Sequence, residues 1–208
     1  MNATLRAGCA KVDLTPEHPV RLIPAGPGHR LSQGVARRLH ARIIVMQAAN
    51  GSPEHHGSGY LVFVSADMLY FPNDSAHRLR EAIRSKWGIA KEAVLLNATH
   101  THSAPYPAYG YHAAALDSSR DADFHSYIRQ LEKAIIRGVE DAMNSLEPVD
   151  IARGSGSCSF STYRRKQIGG VWRMVPDVNV PVDQEVIVVR LRKQNGEVKA
   201  LLVHYACH

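Results

Sequence analysis

The sequence predicts an α/β fold, in which a layered, mixed β-sheet is covered by helices. Three observations support this class. Short apolar runs such as "YLVFVSAD" (residues 60–67) are typical of strands that are covered on both faces. Two longer segments repeat apolar residues at helical spacing. An Asn195-Gly196 pair between two alternating runs indicates an antiparallel hairpin, so the sheet is expected to contain strands of both directions.

The first half of the chain alternates predicted strands with one helix. The predicted strands are "LRAGCAKVDLTP" ending at Pro16, "LHARIIVMQA", "YLVFVSAD" and "AVLLNATH". A helix is predicted over residues 74–87, because Leu79, Ile83 and Trp87 share one face and Gly88 follows as a stop. Residues 16–36 form a Pro/Gly-rich loop, and a loop of that length is usually a functional surface.

The second half begins with a longer predicted helix and continues as β-structure. Apolar residues recur at helical spacing over residues 121–146, and the acidic start suits the helix dipole. The remaining predicted strands lie in "VDIARGSGSCSF", "EVIVVRLRK" and "EVKALLVHYACH", and a loop through Pro181 separates the first two.

Composition limits the class of partner. The chain has 208 residues, 45% of them hydrophobic, which is enough for one sizeable core or part of a larger one. The formal net charge is +6, but the basic residues are scattered and the densest cluster is residues 163–166. Because no recognition motif accompanies this charge, we expect no nucleic-acid partner, whereas contact with a membrane surface stays open.

Cysteine usage and the N-terminal sequence bear on the compartment. Cys9, Cys158 and Cys207 are far apart, and an odd number without a C-x-x-C pair argues against a disulfide framework. The start of the chain lacks the apolar core of a signal peptide, and no run approaches transmembrane length. A cytoplasmic location is therefore the default expectation.

The string "NATHTHSAP" (residues 97–105) holds the strongest chemical signal. Residues two apart in a strand point to the same side, so His100 and His102 are expected to face one space. Open α/β sheets bind ligands at strand ends, and imidazole is a common zinc ligand. The other interpretation is a pair of hydrogen-bonded surface histidines in a chain that has 12 of them.

The flanking strings extend this signal. "AGCAKVDLTP", "LHARIIVM", "FVSAD", "NATHTHSAP", "PVDQEVIVVRL" and "ALLVHYACH" together resemble the N-terminal part of the catalytic domain of the neutral/alkaline (non-lysosomal) ceramidase family. These landmarks follow the family order and cover nearly the whole chain. The resemblance implies a zinc amidohydrolase in which a metal-activated water cleaves the N-acyl bond of ceramide-like lipids. It also implies that residues 1–208 are the N-terminal portion of one catalytic domain.

The resemblance assigns roles to individual residues. His100 and His208 are implied as zinc ligands, and His102 as the group that points at the substrate carbonyl. Arg164 is implied to bind and polarise the substrate, with Arg165 as the alternative.

Further roles near this site stay open. His204 is either a third ligand or a solvated or core histidine, and Asp67 either orients a ligand histidine or caps the following turn. The loop "YPAYGYH" (residues 106–112) is either the lining of a lipid channel or ordinary loop packing.

Family members supply two more ligands, a glutamate and a tyrosine, from sequence beyond the counterpart of His208. The chain is therefore expected to be a truncated domain that alone binds zinc weakly, is inactive, and is poorly soluble or oligomeric.

Three other functions are alternatives to a ceramidase-like amidohydrolase. The same centre suits a zinc hydrolase of another amide or ester. A (β/α)₈ metal hydrolase is disfavoured, because only two helices are convincing where that barrel needs eight. A basic, non-catalytic binding module is the alternative outside enzymes.

Overall fold

A computed structural model describes residues 5–20, 22, 31–48, 59–105 and 122–207. The chain divides into two compact units, Met1–Pro148 and Val149–His208, and each is described by itself. The expectation that residues 1–208 are the N-terminal portion of one catalytic domain stays a prediction.

The first unit is a mixed sheet covered by two helices, as predicted. Its elements are β1 (Leu5–Asp13), β2 (His40–Ala48), β3 (Tyr60–Ala66), α1 (Asn73–Trp87), β4 (Val94–Ala98) and α2 (Ala122–Asn144), with a 3₁₀ turn before β4. The strand order is β4-β3-β2-β1. The pairs β1–β2 and β2–β3 are antiparallel, whereas β3–β4 is parallel. The chain reaches the parallel strand through α1, as parallel connections require.

One hydrophobic core joins the helices to the sheet. Alternate residues of the strands contribute to it, because every second side chain of a strand points to the same face. Helix α1 adds Leu79 and Ile83, which lie four residues apart and so share one helix face. The members from the strands and α2 are Val12, Ala41, Ile43, Val45, Val62, Val64, Ala66, Val94, Tyr127, Ile128, Leu131, Ala134, Ile135, Val139 and Ala142.

The two helices are also tied to each other at their solvent side. Arg78 of α1 donates to both carboxylate oxygens of Glu132 of α2, with distances of 2.7 to 3.2 Å. Helix α1 ends at Gly88, whose φ of 67° is left-handed and whose N–H bonds to the Arg84 carbonyl at 2.8 Å. Within the described ranges, neither helix is both long and apolar enough to cross a membrane.

Helix α2 lies directly against the backbone of β1. A β-carbon added at Gly8 would be 1.7 Å from the Ala142 carbonyl oxygen, so only glycine fits there. Directly after the end of α2, the Ser145 hydroxyl accepts the N–H of Cys9 at 3.1 Å. The "AGCAK" string is thus a place where strand β1 and helix α2 approach each other closely.

The second unit contains the strands of the β-rich final third. Its strands are β5 (Glu147–Ser157), β6 (Lys166–Ile168), β7 (Val171–Arg173), β8 (Glu185–Lys193) and β9 (Val198–Tyr205). Strands β5, β8 and β9 pair antiparallel in that order, and β6 pairs with β7. The predicted Asn195-Gly196 hairpin is confirmed, with Gly196 at φ 91° between β8 and β9. The β6–β7 hairpin lies where the sequence predicted only a loop.

Apolar side chains remain exposed on strands β5 and β9 of this unit. Ile151, Val198, Leu201 and Val203 are between 53% and 65% exposed. Such a surface favours contact with further apolar material.

The contact at Gly8 yields a stability prediction. Gly8→Ala is expected to lower the free energy of unfolding by about 1–3 kcal/mol or more, because the backbone of α2 must move away from β1. Gly154→Ala is the matched control, since Gly154 is also a strand glycine but has nothing within 4 Å of an added β-carbon. Thermal unfolding followed by circular dichroism measures both variants. Equal melting temperatures for the two variants would contradict the close approach.

Candidate metal centre

The parallel pair β3–β4 brings two loops to one edge of the sheet. Ala66 and Ala98 are register partners at the ends of these strands. The Ala66 carbonyl accepts two backbone N–H groups, from Met68 and from Thr99, each at 2.9 Å. The chain segments that follow β3 and β4 are therefore held side by side where they leave the sheet.

His100 occupies an unusual backbone conformation in the second of these segments. Its φ is 59°, and it has the left-handed conformation alone among the non-glycine residues that the structure describes. A histidine in this region carries some strain, and such residues concentrate at functional sites. Strand β4 ends at Ala98, and the left-handed turn at His100 follows two residues later.

The first loop supplies a partner for the His100 ring. The Nδ1 atom lies 2.9 Å from the carbonyl oxygen of Leu69. A carbonyl oxygen only accepts hydrogen bonds, so Nδ1 carries the proton in this pair and the Nε2 atom of the neutral ring carries the lone pair. Metal-binding histidines show the same arrangement, with one ring nitrogen donating to a carbonyl and the other facing the metal. His100 therefore fits a zinc ligand that binds through Nε2.

His102 lies beside His100, as predicted, although for a different reason. The two ring centroids are 5.1 Å apart and the ring planes meet at 82°. Strand β4 ends at Ala98, so the alternation of side chains along a strand does not place these rings. The expectation that the strand continues through His100 is wrong, and the turn at His100 brings the rings together instead.

Asp67 supports the strands. Its Oδ2 atom accepts the backbone N–H of His40 at 3.0 Å and lies 3.4 Å from the Arg42 guanidinium. These contacts close the end of the β2–β3 pair.

The Leu69 carbonyl orients His100, and a backbone carbonyl leaves no signal in a sequence.

A cavity of about 820 Å³ adjoins the His-Thr-His segment. Its wall includes described parts of the long Pro/Gly-rich loop together with Thr101, Ser103 and Pro105. This volume suits a small-molecule ligand. The interpretation of the long loop as a functional surface gains support from this position.

Three arginines contribute to the cavity wall: Arg37, Arg38 and Arg42. Arg38 pairs with Asp13 at 2.6 Å. Hydrogen bonds from the side chain and the backbone of Thr15, with Arg38, lower the pKa of Asp13 to about 2. Asp13 is therefore ionised at any working pH, which keeps Arg38 in place.

The other predicted site residues lie in the second unit or outside the described residues. Arg164 and Arg165 are exposed and precede β6, and His204 is exposed on β9. Their roles stay predictions. His208 and the loop 106–112 lie outside the described residues. Within the described ranges, no three His, Cys, Asp or Glu side chains form a group that could hold a metal ion.

The contact between His100 and Leu69 predicts a specific tautomer. A long-range ¹H–¹⁵N spectrum of the metal-free chain at a pH where the ring is neutral should show the His100 proton on Nδ1, because the Leu69 carbonyl accepts it. His77, an exposed histidine of α1, serves as the reference resonance. A proton on Nε2 of His100 would rule out this orientation and with it Nε2 as the ligand atom.

Comparison with known proteins bears on this fold. No protein-family model matches the sequence. Among solved structures, neutral ceramidase from Pseudomonas aeruginosa is similar at a TM-score of 0.75 and 23% identity, over 98% of this chain and 32% of that chain. A ceramidase complexed with C2 is similar at a TM-score of 0.73 and 22% identity, over 97% of this chain and 31% of that chain. The chain spans about a third of the length of these ceramidases, and the resemblance seen in its motifs is confirmed by a shared fold.

Proposed function

We propose that this chain is part of a zinc-dependent amidohydrolase that cleaves the N-acyl amide bond of ceramide-like lipids. The observation that supports this best is the His100 ring, held by the Leu69 carbonyl with Nε2 as the acceptor atom, within a fold shared with ceramidases. A backbone partner of this kind aligns the lone pair of a histidine with a metal position.

In this proposal the zinc ligands from the chain are His100 through Nε2 and His208. A catalytic zinc ion commonly has three protein ligands and a water, and supplies a polarised carbonyl and a water of lowered pKa. The remaining ligands would come from sequence beyond residue 208. The chain alone is therefore expected to hold zinc weakly and to hydrolyse no N-acyl substrate.

His102 has a different role in this proposal. Attack of water on an amide carbonyl places negative charge on the carbonyl oxygen, and a preorganised N–H donor stabilises that charge. The His102 ring lies beside the His100 ring, with the centroids 5.1 Å apart, which suits a donor adjacent to a metal ligand. Arg164 would add a guanidinium donor to the same oxygen and hold the substrate.

A second substrate class is favoured by the cavity beside the histidines. Arg38 and Arg42 of its wall are paired with Asp13 and Asp67, but Arg37 adds a further guanidinium, a group that binds carboxylates well. This observation supports a zinc hydrolase of another amide or ester, such as an N-acyl amino acid. A screen of ceramides against short-chain N-acyl amino compounds, using the full-length protein, separates the two classes.

The division of labour between the histidines can be tested by substitution in the full-length protein. His100→Ala should abolish zinc retention and activity. His102→Ala should leave zinc bound and lower kcat by about 10²–10³, the loss typical of one oxyanion donor. Metal content after dialysis and steady-state kinetics measure both effects. Full zinc content in His100→Ala would refute its assignment, and loss of zinc in His102→Ala would make His102 a ligand.

The two neighbouring arginines form a matched pair for a second test. Arg164→Ala should lower kcat by a factor similar to that of His102→Ala and raise KM if the guanidinium also holds the bound substrate. Arg165→Ala is the control and should retain activity. A larger effect for Arg165→Ala would transfer the role to that residue.

A further inference from the structure

A connection of 27 residues joins β5 to β8 and contains the β6–β7 hairpin. Hydrogen bonds hold the two ends of this connection together. Cys158 donates its N–H to the Gln184 carbonyl at 2.9 Å, which closes the two ends of the connection. The Tyr205 hydroxyl donates to the Cys158 carbonyl at 2.8 Å and accepts the Ser161 N–H at 3.1 Å. Further along, the Asp177 N–H bonds to the Tyr163 carbonyl at 2.7 Å. The segment between these contacts is the β6–β7 hairpin.

The tip of this hairpin is apolar and exposed. Gly169 and Gly170 have φ values of 58° and 79°, as a two-residue type I′ turn requires. Ile168 and Val171 flank this turn as cross-strand partners and are 51% and 54% exposed. Trp172, one residue pair behind them and on the other face of the hairpin, is 66% exposed. A tip built this way presents apolar side chains to the surroundings at the end of a short, well-defined element.

Two positive charges lie behind the apolar tip, on the face of the hairpin that carries Ile168 and Val171. Lys166 and Arg173 are cross-strand partners, and the alternation of strand side chains puts them on the same face as Ile168 and Val171. Like charges directly opposite each other destabilise a strand pair, so an anion bound between them would stabilise the hairpin. Residues 160–180 contain four cationic side chains and a single carboxylate, that of Asp177.

This order of side chains matches the layers of a lipid surface. Apolar groups stand outermost, where acyl chains begin, and the cations stand two residue pairs behind the tip, where phosphate groups lie. Tryptophan also favours the membrane–water interface. We propose that the β6–β7 hairpin docks the protein on an anionic lipid surface, with Ile168, Val171 and Trp172 entering the interface and Lys166 and Arg173 contacting the phosphates.

Vesicle binding tests this docking independently of any enzymatic activity. The chain should co-sediment with vesicles of phosphatidylcholine and phosphatidylserine, bind less to phosphatidylcholine alone, and dissociate as salt rises. The double variants Ile168→Ser with Trp172→Ser and Lys166→Glu with Arg173→Glu should each weaken this binding about tenfold or more. Lys133→Glu with Arg137→Glu is the matched charge control, because both side chains are exposed on α2. This control should bind like the parent chain.

Tryptophan fluorescence locates the contact. The chain has two tryptophans, so Trp87→Phe leaves Trp172 as the reporter. Its emission should shift to the blue on anionic vesicles and be quenched by brominated lipid. The proposal is overturned if the hairpin variants bind as well as the parent chain, if the α2 control loses binding equally, or if Trp172 emission stays unchanged. Self-association that depends on Trp172 and bypasses lipid would overturn it in favour of a protein partner.

Discussion

The first unit depends on the direct approach of the α2 backbone to β1. Gly8 leaves no side chain between them, and Ser145 of the same region bonds to the neighbouring Cys9 N–H. With α2 held at this distance, Leu131 and Ile135 fill the layer between helix and sheet. Helix α1 packs into the same core. The segment between β3 and α1, which contains Leu69, is therefore held at both ends by packed elements.

Backbone hydrogen bonds position the segment that contains His100 and His102. Ala66 receives two N–H groups from the segments that follow β3 and β4, and Leu69 then offers its carbonyl to His100. An amide carbonyl does not titrate, whereas a carboxylate in the same place would lose its charge in acid. The orientation that the Leu69 carbonyl gives to the His100 ring therefore depends on the fold of two loops.

The sequence predicts the regular elements well because their apolar spacing reflects burial. Helix α1 and strand β2 begin and end within one residue of expectation, and Gly88 ends α1 as a left-handed residue should. Other features depend on the backbone and leave no such pattern, including the Leu69 carbonyl and the turn at His100. The β6–β7 hairpin did leave a signal, since Gly169-Gly170 stands between two apolar residues, but its strands of three residues are too short for alternation to reveal.

The left-handed turn at His100 also limits which residues can replace it. Asparagine and aspartate, like histidine itself, adopt this conformation several times more readily than most other side chains, and glycine adopts it freely. Alanine removes the ring and also disfavours the left-handed backbone. Part of any loss of zinc binding or activity in an alanine variant therefore reflects the changed turn. Asparagine keeps the turn and removes only the imidazole. Among proteins that share this loop but lack a histidine at this position, asparagine, aspartate and glycine are the residues expected there.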